Sequence, residues 1–165
     1  MMSPRPNRSQ HTASLIVFAA CLSGIGLGTQ GNDVLGFTHT VLEGGCSAYL
    51  GALWKVDDRA SMLLMCVFYR LLREESGLSV ARLWQEAQKV LFGMDRNGGK
   101  KLIGGLVEGL EAAEKEGRRP EVFVKKWREQ LRKVELALED GALDFTHPFF
   151  VGPFLVVGFG GIVLK

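Results

Sequence analysis

Apolar and polar positions alternate in different rhythms along this chain, and each rhythm predicts a different element. Residues 1 to 13, rich in Pro, Arg, Ser and Asn, carry no apolar period and are expected to form a disordered leader. Leu15 to Ala20 (LIVFAA) is a continuous apolar run, which suits a strand covered on both faces, as in a parallel sheet. It runs through Cys21 into Gly24, Gly26 and Gly28. Asn32 or Asp33 can cap a helix with Val34, Leu35, Thr38, Val41 and Leu42 on one side, stopped by Gly44 and Gly45. Cys46 to Leu53 (CSAYLGAL) predicts a second strand. Asp57 or Asp58 then caps a helix whose run SMLLMCVFYRLL is apolar nearly all round and is expected to be largely buried. Ser79 opens another helix, with Val80, Leu83, Trp84, Ala87, Val90 and Leu91 on its core side. Strand, helix, strand, helix in that order implies an α/β fold with a mostly parallel sheet.

The rhythm changes at Gly93. Of 38 charged residues, 21 lie between Gly93 and Gly141, with acids and bases nearly balanced, so this stretch is mostly surface. Two helical stripes run through it: Leu102, Ile103, Leu106, Val107 and Leu110, then Phe123, Trp127, Leu131, Val134 and Leu138. Joined near Gly117, with Pro120 in a first helical turn, they predict an inserted charged helical hairpin over 93–141. Both packing on its own domain and service as a docking surface fit such a hairpin. The final stretch HPFFVGPFLVVG, residues 147 to 158, reads as a turn followed by a strand with Phe154 to Val157 buried; Pro148 and Pro153 make the part before Phe154 irregular or an edge. Residues 14–165 are thus expected to form one domain.

Composition narrows the function classes. With 47% hydrophobic residues in 165, there is material for a single packed core. A net charge of +2 without a long block of one sign is no electrostatic footprint for nucleic acid. Cys21, Cys46 and Cys66 have neither zinc-site spacing nor the number of a disulfide framework, which favours a reducing, cytoplasmic setting; no metal and no cofactor is called for. Arg5 and Arg8 before the apolar run sketch an export signal, and Ala19-Ala20-Cys21 a lipidation site. The six-residue apolar core is short for either, and Phe18 stands where lipidation prefers a small aliphatic residue. No run is long enough to cross a membrane.

The chemistry in question is that of Cys21, a thiol at the end of a strand where the chain enters a glycine-rich loop. Such a thiol is either a nucleophile, if a base or positive surroundings make it a thiolate, or a small packed residue. In their order and spacing, AACLSG, GNDVLGFTHTVLEGGCSAYLGALWKVDDRA, MLLMCVFYRLL, SVARLWQEAQKVL and HPFFVGPFLVVG resemble the C-terminal part of a CHAT domain, the caspase-like module related to separase and the caspases. The resemblance covers residues 15 to 92 and 147 to 158. It implies a caspase-like three-layer α/β fold, with the N-terminal half missing and 93–141 as an insertion. It also implies a Cys/His dyad that cleaves peptide bonds, with Cys21 as the catalytic cysteine. Asp58 stands where separase carries an acid in the LW-x-V-x-D text, so the resemblance makes it the partner of a substrate arginine; a simple helix cap is the other reading, and for Asp57 the preferred one. Trp54 is expected beside the site or under its loop.

The family's histidine precedes the cysteine and is followed by glycine, and no His-Gly pair occurs here. A parallel strand and its crossover need about 30 residues, and only 20 precede Cys21. His11 lies toward the opposite end of the first strand, His39 in the first crossover helix, and His147 at a turn. The expectation is therefore a CHAT-type endopeptidase domain fragment, inactive alone because its base and one oxyanion donor are absent. The alternative is a non-catalytic interaction module on the same remnant. Expected partners are a protein or peptide substrate, or a partner chain, with self-association through an exposed sheet edge.

Overall fold

A computed structural model describes residues 13–18, 36–158 and Val163. Its sheet has three strands, β1 (Leu15–Phe18), β2 (Ala48–Ala52) and β3 (Phe154–Gly158), in the order β1-β2-β3. β1 and β2 are parallel, with Leu15 opposite Ala48 and Phe18 opposite Gly51, and the Ala48 amide extends the ladder to the Ser14 carbonyl at 3.0 Å. β3 runs antiparallel to β2, Ala52 facing Phe154. The described sheet is therefore mixed, where the sequence led us to expect a mostly parallel one. β3 leaves a short helix, α6 (Pro148–Val151), at the end of the sheet where β2 finishes, so it can enter only in the reverse direction.

Alternation along the strands assigns the two faces. Leu15, Val17, Leu50, Ala52, Phe154 and Val156 join the main core, built with helices α2 (Asp58–Glu74) and α3 (Val80–Phe92). Ile16 and Tyr49 turn the other way, toward Val41 of helix α1 (Gly36–Glu43) and Cys46. Every residue of β2 is buried, as a strand covered by helices on both faces requires. Gly51 has no freedom to be larger: a Cβ there would lie 2.5 Å from the ring of Tyr49, two residues back on the same face. α1 ends as its glycines dictate, Gly45 taking a φ of 98°.

α2 buries Ala60, Ser61, Leu63, Leu64, Val67 and Phe68, but Tyr69 is half exposed, so the helix is one-sided rather than buried all round. Ser79 caps α3 as the sequence predicts, accepting the Arg82 amide at 3.3 Å. Val80, Leu83, Trp84, Ala87 and Leu91 form its buried arc. Val90 falls at the margin of that arc and is exposed, contrary to its expected core position. Trp84 is wedged edge-on between Phe68 and Phe154, with ring centroids 5.3 and 5.5 Å away.

The predicted hairpin is present as α4 (Arg96–Lys115) and α5 (Glu121–Glu139), turning at Gly117 with a φ of 69°. Pro120 is the residue before α5 rather than part of its first turn. Of the two roles open to it, the hairpin fills the structural one at its base, where Ile103, Leu131, Val134, Ala137 and Leu138 enter the main core. At its outer end Ala113 and Val124 are buried, whereas Phe123 and Trp127 are only half-buried, their rings tilted against each other with centroids 6.0 Å apart. Among the described residues no helix is long and apolar enough to cross a membrane.

α4 holds five glycines, and each weakens a helix by about 0.8–1 kcal/mol relative to alanine. Gly99 has a packing reason, since its Cβ would lie 2.7 Å from Leu138 Cδ1, while Gly104, Gly105 and Gly109 face open space. Urea unfolding should accordingly show Gly105→Ala and Gly109→Ala each stabilising by about 0.5–1 kcal/mol. Gly99→Ala should destabilise by about 1–2 kcal/mol through overpacking.

Candidate functional site

Parallel pairing sends β1 and β2 out of the sheet at the same end, the place where open α/β sheets form their crevice. β1 ends at Phe18, three residues before Cys21. Cys21 itself, with Asn32 and Asp33, lies outside the described residues, as does His11. β2 ends at Ala52, and residues 53–57 lead from it directly into α2. The antiparallel β3 begins at this end too, which brings α6 alongside: the Leu53 amide donates to the Pro153 carbonyl at 2.6 Å.

The two aspartates divide their work. Asp57 is the N-cap of α2, and its Oδ1 accepts the amides of Arg59 at 2.9 Å and Ala60 at 3.2 Å. The Arg59 guanidinium grips the same carboxylate, Nη2 to Oδ2 at 2.8 Å and Nε to Oδ1 at 3.2 Å. Burial opposes the charged form of Asp57. The hydrogen bonds from the Arg59 side chain and the two amides, with the Arg59 charge, outweigh it and hold the carboxyl below its ordinary range. Asp58 is the first residue of the helix, exposed, and makes no hydrogen bond or ion pair among the described residues. The cap preferred for Asp57 is thus observed, and Asp58 is left with a free carboxylate at a helix N-terminus.

Trp54 is 37% exposed and Phe149 is 43% exposed. With Lys55, Val56 and Asp57 they line a cleft of about 540 Å³ at this end of the sheet. A smaller cleft, about 280 Å³, lies where the start of α4 meets the segment after α5, between Met94 and Thr146. Sequence reasoning expected Trp54 near the site and assigned nothing to Phe149 or Arg59. No local pattern pointed to Phe149, whose exposure follows from how α6 is held by Gln88 of α3.

Each described histidine is engaged on its own element. His147 caps α6, its Nδ1 accepting the Phe149 amide at 3.1 Å, a structural role as the sequence suggested. His39 is exposed on α1, its Nδ1 3.6 Å from Glu43 Oε2 on the same helix. The remaining thiols are poor nucleophiles. Cys46 is buried, its S–H directed at the Ala48 carbonyl at 3.0 Å. Burial pushes the Cys66 thiol up. Among the described residues no group of three His, Cys, Asp or Glu side chains could hold a metal ion.

These elements define an α/β protein with helices on both faces of a small mixed sheet and a cleft between the segment after β2 and the helix before β3. The family model for the CHAT domain matches residues 6–158, nearly the whole chain, and the protein belongs to that family. No curated protein and no solved structure matches it.

The Asp57 arrangement has a measurable consequence. Asp57→Ala should cost about 1–2 kcal/mol at pH 7, read by urea unfolding. Because the folded-state pKa is depressed, this contribution is full above the unfolded-state value near 4 and is lost as pH falls through the lower folded value. The wild-type and variant stability curves should therefore converge below about pH 4.

Proposed function

We propose that this chain carries the nucleophile and the arginine-recognition side of a CHAT-type cysteine endopeptidase site, and that alone it does not cleave peptides because it lacks a base for the thiol. The observation that carries the reading is the parallel register of β1 and β2, which delivers the exit toward Cys21 and the segment ending in Asp58 to one end of the sheet. Asp58, uncommitted and exposed, is suited to hold a substrate guanidinium in bidentate fashion. Family membership supports Cys21 as the nucleophile, since the AACLSG text resembles the family's segment around its cysteine.

The inactivity follows from proton chemistry. An ordinary thiol, with a pKa near 8.5, is only a few per cent thiolate at pH 7, and attack on a peptide carbonyl also needs an acid to protonate the leaving amine. His147 is spent on a helix cap and His39 sits beside Glu43. A partner chain presenting an imidazole would complete the dyad.

Alkylation with a fluorescent iodoacetamide at pH 7, mapped by mass spectrometry, tests this. Label should appear on Cys21 before Cys46 and Cys66, should be lost in Cys21→Ala, and arginyl peptides should stay intact. Hydrolysis of such a peptide by the purified chain unaided, or a Cys21 slower than Cys66, overturns the proposal.

A further inference from the structure

Two carboxylates stand on consecutive residues at the start of α2, Asp57 and Asp58, and a cation arriving there meets both. Burial alone does not close Asp57, since 20% of its side chain remains in contact with solvent. Its closure comes from Arg59. A carboxylate offers about four lone-pair sites, and that of Asp57 receives four donors. Oδ1 accepts the Arg59 and Ala60 amides at 2.9 and 3.2 Å and Arg59 Nε at 3.2 Å, while Oδ2 accepts Arg59 Nη2 at 2.8 Å. The guanidinium thus lies as a fork across both oxygens, the geometry in which an arginine ligand would be held. Its bond to Asp57 raises its own pKa against the effect of burial, and the charge of Asp140, the C-cap of α5, adds to the attraction.

With Asp57 and Arg59 cancelling each other, the exposed charges left on this turn are Lys55 and Asp58, neither of which makes an ion pair among the described residues. Lys55 and the N-terminus of α2 both repel a cation, so Asp58 is the acceptor that remains. The distinction matters for geometry. Consecutive Cα atoms are about 3.8 Å apart, and a misplacement of even about 1 Å removes a scissile carbonyl from the reach of a nucleophile. A guanidinium free to choose between two adjacent carboxylates would carry its peptide bond to two places. We infer that Arg59 is a positioning residue of the proposed site: its guanidinium occupies Asp57 and thereby confines an arginine ligand to Asp58. This deepens the proposed function and rests on its reading of Asp58.

The test is an NMR titration of the full-length, isotope-labelled Cys21→Ala chain with a short capped peptide holding one arginine, and with its citrulline counterpart, which has the same shape without the charge. The Cys21→Ala chain should favour arginine by about threefold or more, the range of an exposed ion pair. Asp58→Asn should erase that preference. In Arg59→Gln the preference should survive Asp58→Asn and vanish only when Asp57→Asn is added, asparagine being as good a helix cap as aspartate. Arg59→Leu, a good helix former with an apolar stem, takes the place of Arg59→Gln should that variant fail to fold. An Arg59 that merely stabilises the cap would lower the unfolding midpoint when replaced, and Asp58→Asn would still erase the preference; that result overturns the inference and leaves the reading of Asp58 intact. No arginine preference in any of these chains up to about 10 mM peptide overturns both. A preference that arises only in Arg59→Gln and depends on Asp57 removes the reading of Asp58 and leaves the closure of Asp57 by Arg59 standing.

Discussion

β2 has to satisfy all of its backbone hydrogen-bonding groups without water, because each of its five residues is buried and helices cover both of its faces. Only neighbouring strands can do this, and the chain provides one on each side, β1 parallel and β3 antiparallel. That requirement fixes the register, since a slip of one residue would turn Leu50 and Ala52 away from the main core and drive Tyr49 into it. The register in turn decides which ends of the chain segments meet. The exits of β1 and β2 and the approach to β3 all lie at one end of the sheet, and the aromatic cleft, the cap of α2 and the free carboxylate of Asp58 are collected there as a result.

At that end, neighbouring residues of like charge have separate roles because their backbone positions differ. Asp57 precedes the helix in an extended conformation, from which its side chain can turn back onto the second and third amides. Asp58 has already entered the helix, and its side chain accepts neither of those amides. The arginine one residue further on closes over the cap and leaves the second carboxylate to solvent.

Much of the fold was legible because the sequence speaks clearly where one physical effect dominates. The continuous apolar run at Leu15, the capping serine at Ser79, the glycine stop after α1 and the leucine stripe of α4 each have a single cause, and each element lies where that cause puts it. Strand direction was harder: the antiparallel entry of β3 depends on where α6 leaves the chain, a tertiary fact that no local pattern carries. The same holds for Val90 and Tyr69, apolar or aromatic residues just outside a buried arc whose width is set by the neighbouring helices. In the site, Asp57 as a cap was readable from spacing, and Trp54 from its place after a strand. Phe149 was not, because its exposure depends on a turn pinned by Gln88 from another helix. The CHAT resemblance, read from the order of several motifs, stands as the family of the chain.

The glycines of α4 reach beyond the helix that contains them. A helix with so many residues of high unfolded-state entropy draws its persistence from α5, through contacts such as Gly99 against Leu138 and the ion pairs of Lys100 with Glu139 and Arg128 with Glu111. Among the described residues, the amides of α4 are accordingly expected to exchange with solvent deuterium through opening of the hairpin, ahead of those of the fully buried β2.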